Sequence, residues 1–255
     1  MTKAGDIFDY LNELYPVSTQ EPFDNAGFLI GSRMSVAEKV LLSLDVTSKV
    51  IEEAENLGCS LIISHHPVIF HKLADVLWDD PVGKKIAALV KNNISVISMH
   101  TNLDKAEGGV NDVLVKKLGA VRSERTDADA FLRIGYLDKP VPFADFLSSC
   151  KAALSGNGLR YFSAGKDVRK FACLGGAGGD ELETAYSLGC DTYVTSDIKY
   201  NVFLDAEELG MNLIDADHFC TENPVICVLK EKLEDRFSDV DFIISKTHQQ
   251  VIQFF

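Results

Sequence analysis

Three short phrases of this sequence bring imidazoles and carboxylates close together: Ser64-His65-His66-Pro67, His100-Thr101-Asn102-Leu103-Asp104 and His218-Phe219-Cys220-Thr221-Glu222. They use four of the chain's six histidines. In the second and third phrases a carboxylate follows the imidazole by four positions. That spacing puts both groups on one face of a helix and lets them converge in a loop. Imidazole plus carboxylate is a donor set suited to zinc, manganese, iron, cobalt or nickel. Adjacent side chains of an extended segment point to opposite sides. His65 and His66 therefore serve two ions, or one ion and one scaffold hydrogen bond. Asp197, in Thr195-Ser196-Asp197-Ile198-Lys199, either faces the same cleft or caps a helix. His71 and His248 have no such carboxylate phrase and read as ordinary surface or core histidines. The glycine run Gly175 to Gly179 could cradle a phosphate. Asp180 and Glu181 would then repel the anion, so a tight turn is the favoured reading.

The elements that must position these residues are apolar runs. Leu61-Ile62-Ile63 precedes the paired histidines, Ile94 to Met99 precedes His100, and Asn212 to Ala216 precedes His218. Val40 to Leu44 is another buried strand, followed by a helix from about Thr47 to Leu57 that stops at Gly58. A further helix is expected from Lys84 to Lys91. Strands alternating with helices predict an α/β architecture with a largely parallel sheet. In such sheets ligands gather beyond the carboxyl ends of the strands, where all three phrases fall.

The two halves of the chain also resemble each other. Leu57-Gly58-Cys59-Ser60-Leu61-Ile62-Ile63-Ser64 aligns with Leu188-Gly189-Cys190-Asp191-Thr192-Tyr193-Val194-Thr195, each after an acidic helix. Ile94 to His100 then aligns with Asn212 to His218. Two matched phrases in order predict an internal duplication: two similar α/β domains, 1–125 and 126–255. The boundary is set in the polar, aperiodic stretch Ser123 to Asp129.

Composition narrows the function classes. The 255 residues are 46% hydrophobic and 25% charged, which excludes intrinsic disorder. Lys and Arg number 25 against 38 Asp and Glu, a formal charge of −13. A chain so acidic repels phosphate backbones, which disfavours nucleic acid as partner. No apolar run reaches membrane-spanning length, and the start lacks the apolar core of a secretory signal. Six cysteines without a CxxC pair read as reduced thiols, and a cytoplasmic location is expected.

The sequence resembles the Nif-three-like family, also called GTP cyclohydrolase I type 2 homologues. The resemblance rests on Phe23-Asp24-Asn25-Ala26-Gly27, Ile63 to Phe70 (which includes Ser64-His65-His66-Pro67), His100 to Asp104 and His218 to Glu222, in family order across most of the chain. It implies a dinuclear metal site between the two α/β domains, with two divalent ions of unspecified identity. By carry-over, His66 and Asp104 hold one ion, His65 and His218 the other, and Glu222 bridges both. His100 is expected to orient a ligand or water. The family forms toroidal homohexamers, so a homo-oligomer is expected. Departures from its pattern leave every ligand in place: Ser196 and Asp217 stand where glycine is usual, and the chain lacks the carboxy-terminal Asn-Pro phrase.

The resemblance and the donor set together imply a dinuclear metal-dependent hydrolase using a metal-activated water on a small-molecule substrate, a nucleotide among the candidates. His100 and Asp197 are the candidate proton carriers. The competing expectation is a non-enzymatic metal-binding or ring-forming partner protein.

Overall fold

Apolar runs and their stop signals become strands and helices in the order expected. The computed structural model describes all 255 residues. The first part of the chain forms α1 (Ala4–Leu14), β1 (Gly27–Ile30), β2 (Lys39–Ser43), α2 (Ser48–Leu57), β3 (Leu61–Ser64), α3 (Pro81–Lys91), β4 (Ser95–Ser98) and α4 (Thr101–Lys105). Next come α5 (Val110–Lys117), β5 (Arg122–Arg125), β6 (Arg133–Val141), α6 (Phe143–Ala153), β7 (Arg160–Phe162) and β8 (Val168–Ala177). The remainder is α7 (Leu182–Ser187), β9 (Thr192–Ser196), α8 (Tyr200–Leu209), β10 (Asn212–Asp215), α9 (His218–Glu222), α10 (Pro224–Arg236) and β11 (Asp241–Ile244).

The chain divides into two compact units. One is Met1–Ala106 with Ile226–Gln249, the other Glu107–Val225 with Gln250–Phe255. This differs from the division at 125/126 expected from sequence. Arg122–Arg125 is an edge strand, paired antiparallel with β6, and all four of its residues are exposed. Periodicity reports burial, so a strand exposed on both faces has none and reads as a linker. The return of β11 to the first unit is a long-range pairing with β2, beyond the reach of any local pattern.

The first unit holds a five-stranded sheet, ordered β1-β4-β3-β2-β11. All neighbours are parallel except β1, which runs antiparallel to β4. Its central strands are buried on both faces, which is why Leu41, Leu42, Leu61, Ile62 and Ile63 form unbroken apolar runs. Each such side chain contributes about 1.5–3 kcal/mol when fully buried. α2 has a defined start and stop. Thr47 accepts a hydrogen bond from the Val50 amide, and Gly58 closes the helix at φ +71°.

The second unit holds a six-stranded sheet, ordered β5-β6-β8-β9-β10-β7. Within it β8, β9 and β10 are parallel, and β7 flanks β10 antiparallel. Core packing lies on both faces: Phe146, Phe171 and Val194 belong to one cluster, and Ala172, Tyr193 and Leu213 to the other. Each unit thus has three parallel strands joined by helices, followed by a one-turn helix: α4 after β4, and α9 after β10. The α/β class read from the sequence holds for both, but the largely parallel sheet expected is found only in the first, since in the second β5–β6, β6–β8 and β10–β7 pair antiparallel.

Candidate metal centre

In the first unit the site is built on a row of serines. Ser43, Ser64 and Ser98 are in register at the carboxyl ends of β2, β3 and β4. The Ser43 hydroxyl donates to the Asp45 carbonyl at 2.6 Å, and the Ser64 hydroxyl to the His66 carbonyl at 2.8 Å. These bonds turn the chain as the ladder ends. The amides of His65 and His66 both donate to the Leu44 carbonyl, which places the two imidazoles over the strand ends.

There His65, His66 and His100 converge, with one ring nitrogen from each lying within 4.8 Å of the others. His65 Nδ1 meets the Met99 carbonyl at 2.7 Å. A carbonyl only accepts, so Nδ1 carries the proton and Nε2 is the basic nitrogen. His66 Nδ1 lies 2.8 Å from Asp45 Oδ1, and His100 Nδ1 2.7 Å from Asp24 Oδ1. Asp104, on α4, puts Oδ1 3.5 Å from His65 Nε2. The α4 turn starts at His100, whose carbonyl accepts from the Leu103 and Asp104 amides.

Asp24 also accepts from the Thr101 amide at 3.0 Å and the Thr101 hydroxyl at 2.5 Å. Burial opposes its ionisation, but the hydrogen bonds from His100 and Thr101 outweigh that and hold its carboxyl down at about 2. For Asp45, burial is likewise outweighed by hydrogen bonds from His248 and His66, and its carboxyl lies well below the usual range. His248 Nε2 is 2.9 Å from Asp45 Oδ2. The sequence assigned neither Asp45 nor His248 to the site, because only folding brings them behind His66.

In the second unit His218 and Glu222 share the one-turn α9, with His218 Nε2 3.1 Å from Glu222 Oε2. His218 Nδ1 is 2.7 Å from Asp197 Oδ2. Of the two alternatives read from the sequence, Asp197 thus faces the site, against the His218 ring, and is not the cap of α8, which is Lys199. The glycine run is neither a phosphate cradle nor wholly a turn. Gly175 and Gly176 lie in β8, and Gly176 has φ +72°. A Cβ there would sit 2.2 Å from Glu222 Oε1 and 3.3 Å from His218 Nε2. Glycine is needed because backbone and ligand side chains approach closely. Thr221 Oγ1 accepts from the Gly176 amide at 3.1 Å, fixing α9 against β8.

These donors fit a divalent ion. Each of the four imidazoles has Nδ1 tied to an oxygen, as metal-ligating histidines have, which leaves Nε2 as the nitrogen that could hold an ion. His71 is exposed and stacks edge-on to Phe70 at 4.8 Å, away from this pattern.

A two-unit α/β protein with histidine–carboxylate groups at the strand ends of both units is the class that fold and site define. The family described as Duf34/NIF3 (NGG1p interacting factor 3) matches residues 2–250, and the chain belongs to it. A GTP cyclohydrolase 1 type 2 homolog of Clostridium perfringens is 36% identical, covering 99% of both chains. Among solved structures, Staphylococcus aureus hypothetical protein SA1388 matches with TM-score 0.93 and 27% identity, over 100% of this chain and 99% of that one. A Bacillus cereus protein related to NIF3 matches with TM-score 0.90 and 26% identity, over 99% of both chains. No helix is long and apolar enough to cross a membrane.

Proposed function

We propose that the chain is a dinuclear metal-dependent hydrolase acting on a small molecule, with His65, His66, Asp104, His218 and Glu222 as ligands. The observation that carries this reading is the fixed Nδ1 of four imidazoles, each 2.7–2.8 Å from an oxygen. On this reading His66 and Asp104 hold one ion, His65 and His218 the other, and Glu222 belongs to both. Two such ions supply Lewis-acid polarisation of the substrate and a water of lowered pKa. The protein's own part is to orient. Asp45, Asp24, Asp197 and the Met99 carbonyl set the rings, and Gly176 leaves room at Glu222. Of the two candidate proton carriers, His100 is the better placed. Its ring stands against those of His65 and His66, whereas Asp197 lies behind His218, on its Nδ1.

The name GTP cyclohydrolase 1 type 2 homolog, borne by the Clostridium perfringens relative, supports a nucleotide as the first substrate to try. The matched strand–helix order of the two units supports their origin by duplication. A homo-oligomer is favoured by the exposed Leu73, Val76, Leu77 and Trp78, an apolar stretch suited to subunit contact, and the toroidal hexamer is the form that the family resemblance implies. That stretch also supports the alternative of a ring-forming protein whose metals are structural. Six unpaired cysteines, five of them buried, fit the reducing cytoplasm.

Metal analysis of the purified protein should find close to two ions per chain. His66→Ala or Asp104→Ala should empty one site, His65→Ala or His218→Ala the other, and Glu222→Ala should weaken both. Hydrolysis of nucleotides, phosphoesters or cyclic amides should vanish in the apo protein and return with Mn²⁺, Co²⁺ or Zn²⁺. Activity unchanged after verified metal removal rules the hydrolase out. Loss of the oligomer on metal removal, with no substrate turned over, favours the ring-forming alternative.

A further inference from the structure

Residues 245–254 form neither helix nor strand, yet side-chain contacts hold them at several points along their length. Glu53 accepts from the Ser245 hydroxyl at 2.5 Å, the Lys246 amide at 2.8 Å and the Thr247 hydroxyl at 2.8 Å. His248 then reaches Asp45 Oδ2, whose other oxygen holds His66 Nδ1. Two residues on, the Gln250 amide donates to Asp217 Oδ1. Asp217 is the cap of α9: its side chain accepts from the Cys220 amide at 3.2 Å, and its backbone sits at φ +72°. Beyond this the Asn157 amide donates to the Ile252 carbonyl at 2.9 Å. The Phe254 ring lies on Gly158, where a Cβ would come within 2.8 Å of it.

Apolar burial does not explain this docking, since Val251 is 84% exposed and Ile252 and Phe254 about half exposed. What its polar contacts share is their address. Two of them, from residues two apart, land one step behind an imidazole of the candidate metal centre: His248 on the partner of His66, Gln250 on the residue before His218. Asp217 also carries a positive φ that an L-residue adopts at a cost of order 1–3 kcal/mol, sustained only where surrounding bonds over-determine it.

We propose that residues 245–254 are a positioning strap for the metal ligands: His248 sets the His66 ring through Asp45, and Gln250 sets the His218–Glu222 turn through Asp217. The inference rests on the reading of these residues as ligands. Without His248, Asp45 loses the bond that fixes its second oxygen, and the His66 ring gains freedom about its axis. Without Gln250, the cap of α9 and the strained Asp217 backbone lose an anchor.

The test compares the full chain with its Gln250→Ala, His248→Ala and His248→Gln variants. The readouts are amide hydrogen exchange on the apo protein, Co²⁺ affinity and thermal midpoint. Gln250→Ala should speed exchange in 218–222, including the Cys220 amide, and leave 64–67 unchanged. His248→Ala should do the reverse. Each should weaken Co²⁺ binding, by less than the about 10–100-fold that follows loss of a ligand's own hydrogen-bonding partner, since each acts one residue further out, with little change in midpoint. His248→Gln retains an N–H donor and should recover most of the loss. Exchange identical to wild type in both alanine variants overturns the strap, whatever the metals do. Altered exchange with unaltered Co²⁺ affinity overturns its positioning role, as does a uniform loosening of both regions with a fallen midpoint. A wild-type chain that takes up no Co²⁺ defeats the metal reading itself, while the exchange arm still decides whether the strap holds those segments.

Discussion

The two units present their candidate site residues by different means. In the first, His65, His66, His100 and Asp104 follow two strands, and their orientation comes from packing. His65 is fully buried, and the braces Met99, Asp45 and Asp24 arrive from separate segments. None of those four residues has a positive φ. In the second unit one turn of helix carries both His218 and Glu222, and their surroundings are strained. Asp197 and Asp217, both L-residues, have φ of +53° and +72°. In the first unit the braces of the rings come from several segments of the chain. In the second the turn that carries both side chains is largely buried and flanked by two L-residues at positive φ, a conformational cost that its packing and hydrogen bonds must sustain.

The largest effect that tests this contrast is expected at Gly176. Gly176→Ala adds the left-handed penalty of about 1–2 kcal/mol to overpacking of about 1–3 kcal/mol against Glu222 Oε1. Stability should fall by about 2–5 kcal/mol, and bound metal should fall with it. Gly58→Ala is the control. Its φ is +71°, but a Cβ there meets nothing within 4 Å, so only the backbone penalty applies. Denaturant titrations giving equal losses for the two variants would remove close approach to Glu222 from the account.

A smaller effect should separate the braces. Asp24 has a fully buried side chain and accepts from His100 and twice from Thr101, whereas the Asp197 side chain is 52% exposed. Asp24→Asn leaves one acceptor oxygen for these donors, and a buried donor without a partner costs about 1–3 kcal/mol. Asp197→Asn should cost under about 0.5 kcal/mol, as an exposed substitution does. Asp197→Asn should also weaken metal binding, because Asp197 fixes the proposed ligand His218. Asp24 instead fixes His100, the candidate proton carrier, so Asp24→Asn should lower activity more than metal content. The comparison sharpens if thermal midpoints and metal affinities move in opposite order in the two variants. Equal midpoints would mean that the first unit does not depend on packing more than the second.

Much of this site was legible because buried parallel strands are unbroken apolar runs and ligands collect where they stop. Ser64-His65-His66-Pro67, His100 to Asp104 and His218 to Glu222 all announce themselves in that way. The braces do not. Asp24 lies 76 residues from His100 and is one of 38 acidic residues, with no local signal to mark it. His248 lacks a carboxylate nearby in sequence, since its partner Asp45 belongs to the turn after β2. The glycine run was visible but its cause was not: a close approach to Glu222 is a tertiary fact. Nor does any local signal mark Asp217, whose backbone at φ +72° is one in which glycine would be unstrained.

The smallest effect concerns the root of the strap and its dependence on acid. Glu53 receives the Lys246 amide at 2.8 Å and the Thr247 amide at 3.3 Å, besides two hydroxyls. Slight burial works against its charge, but hydrogen bonds led by that from Ser245 outweigh it, and its pKa lies below the ordinary 4.5. A carboxyl with a folded pKa below its unfolded value stabilises fully above the unfolded value. That contribution is lost as pH falls through the folded one. Protection of the Lys246 and Thr247 amides, corrected for intrinsic exchange, should therefore be flat from pH 7 to about 5 and decline below 4.5. Glu53→Gln should abolish the decline. The attachment at Asn157 and Gly158 has no titrating partner, so residues 252–254 should stay as protected at pH 4 as at pH 7. The change will be modest, because Glu53 is well solvated and water competes for its hydrogen bonds. If both ends of the strap loosen together in acid, Glu53 is not the group that anchors its root. The two ends would then have to be treated as one cooperative attachment.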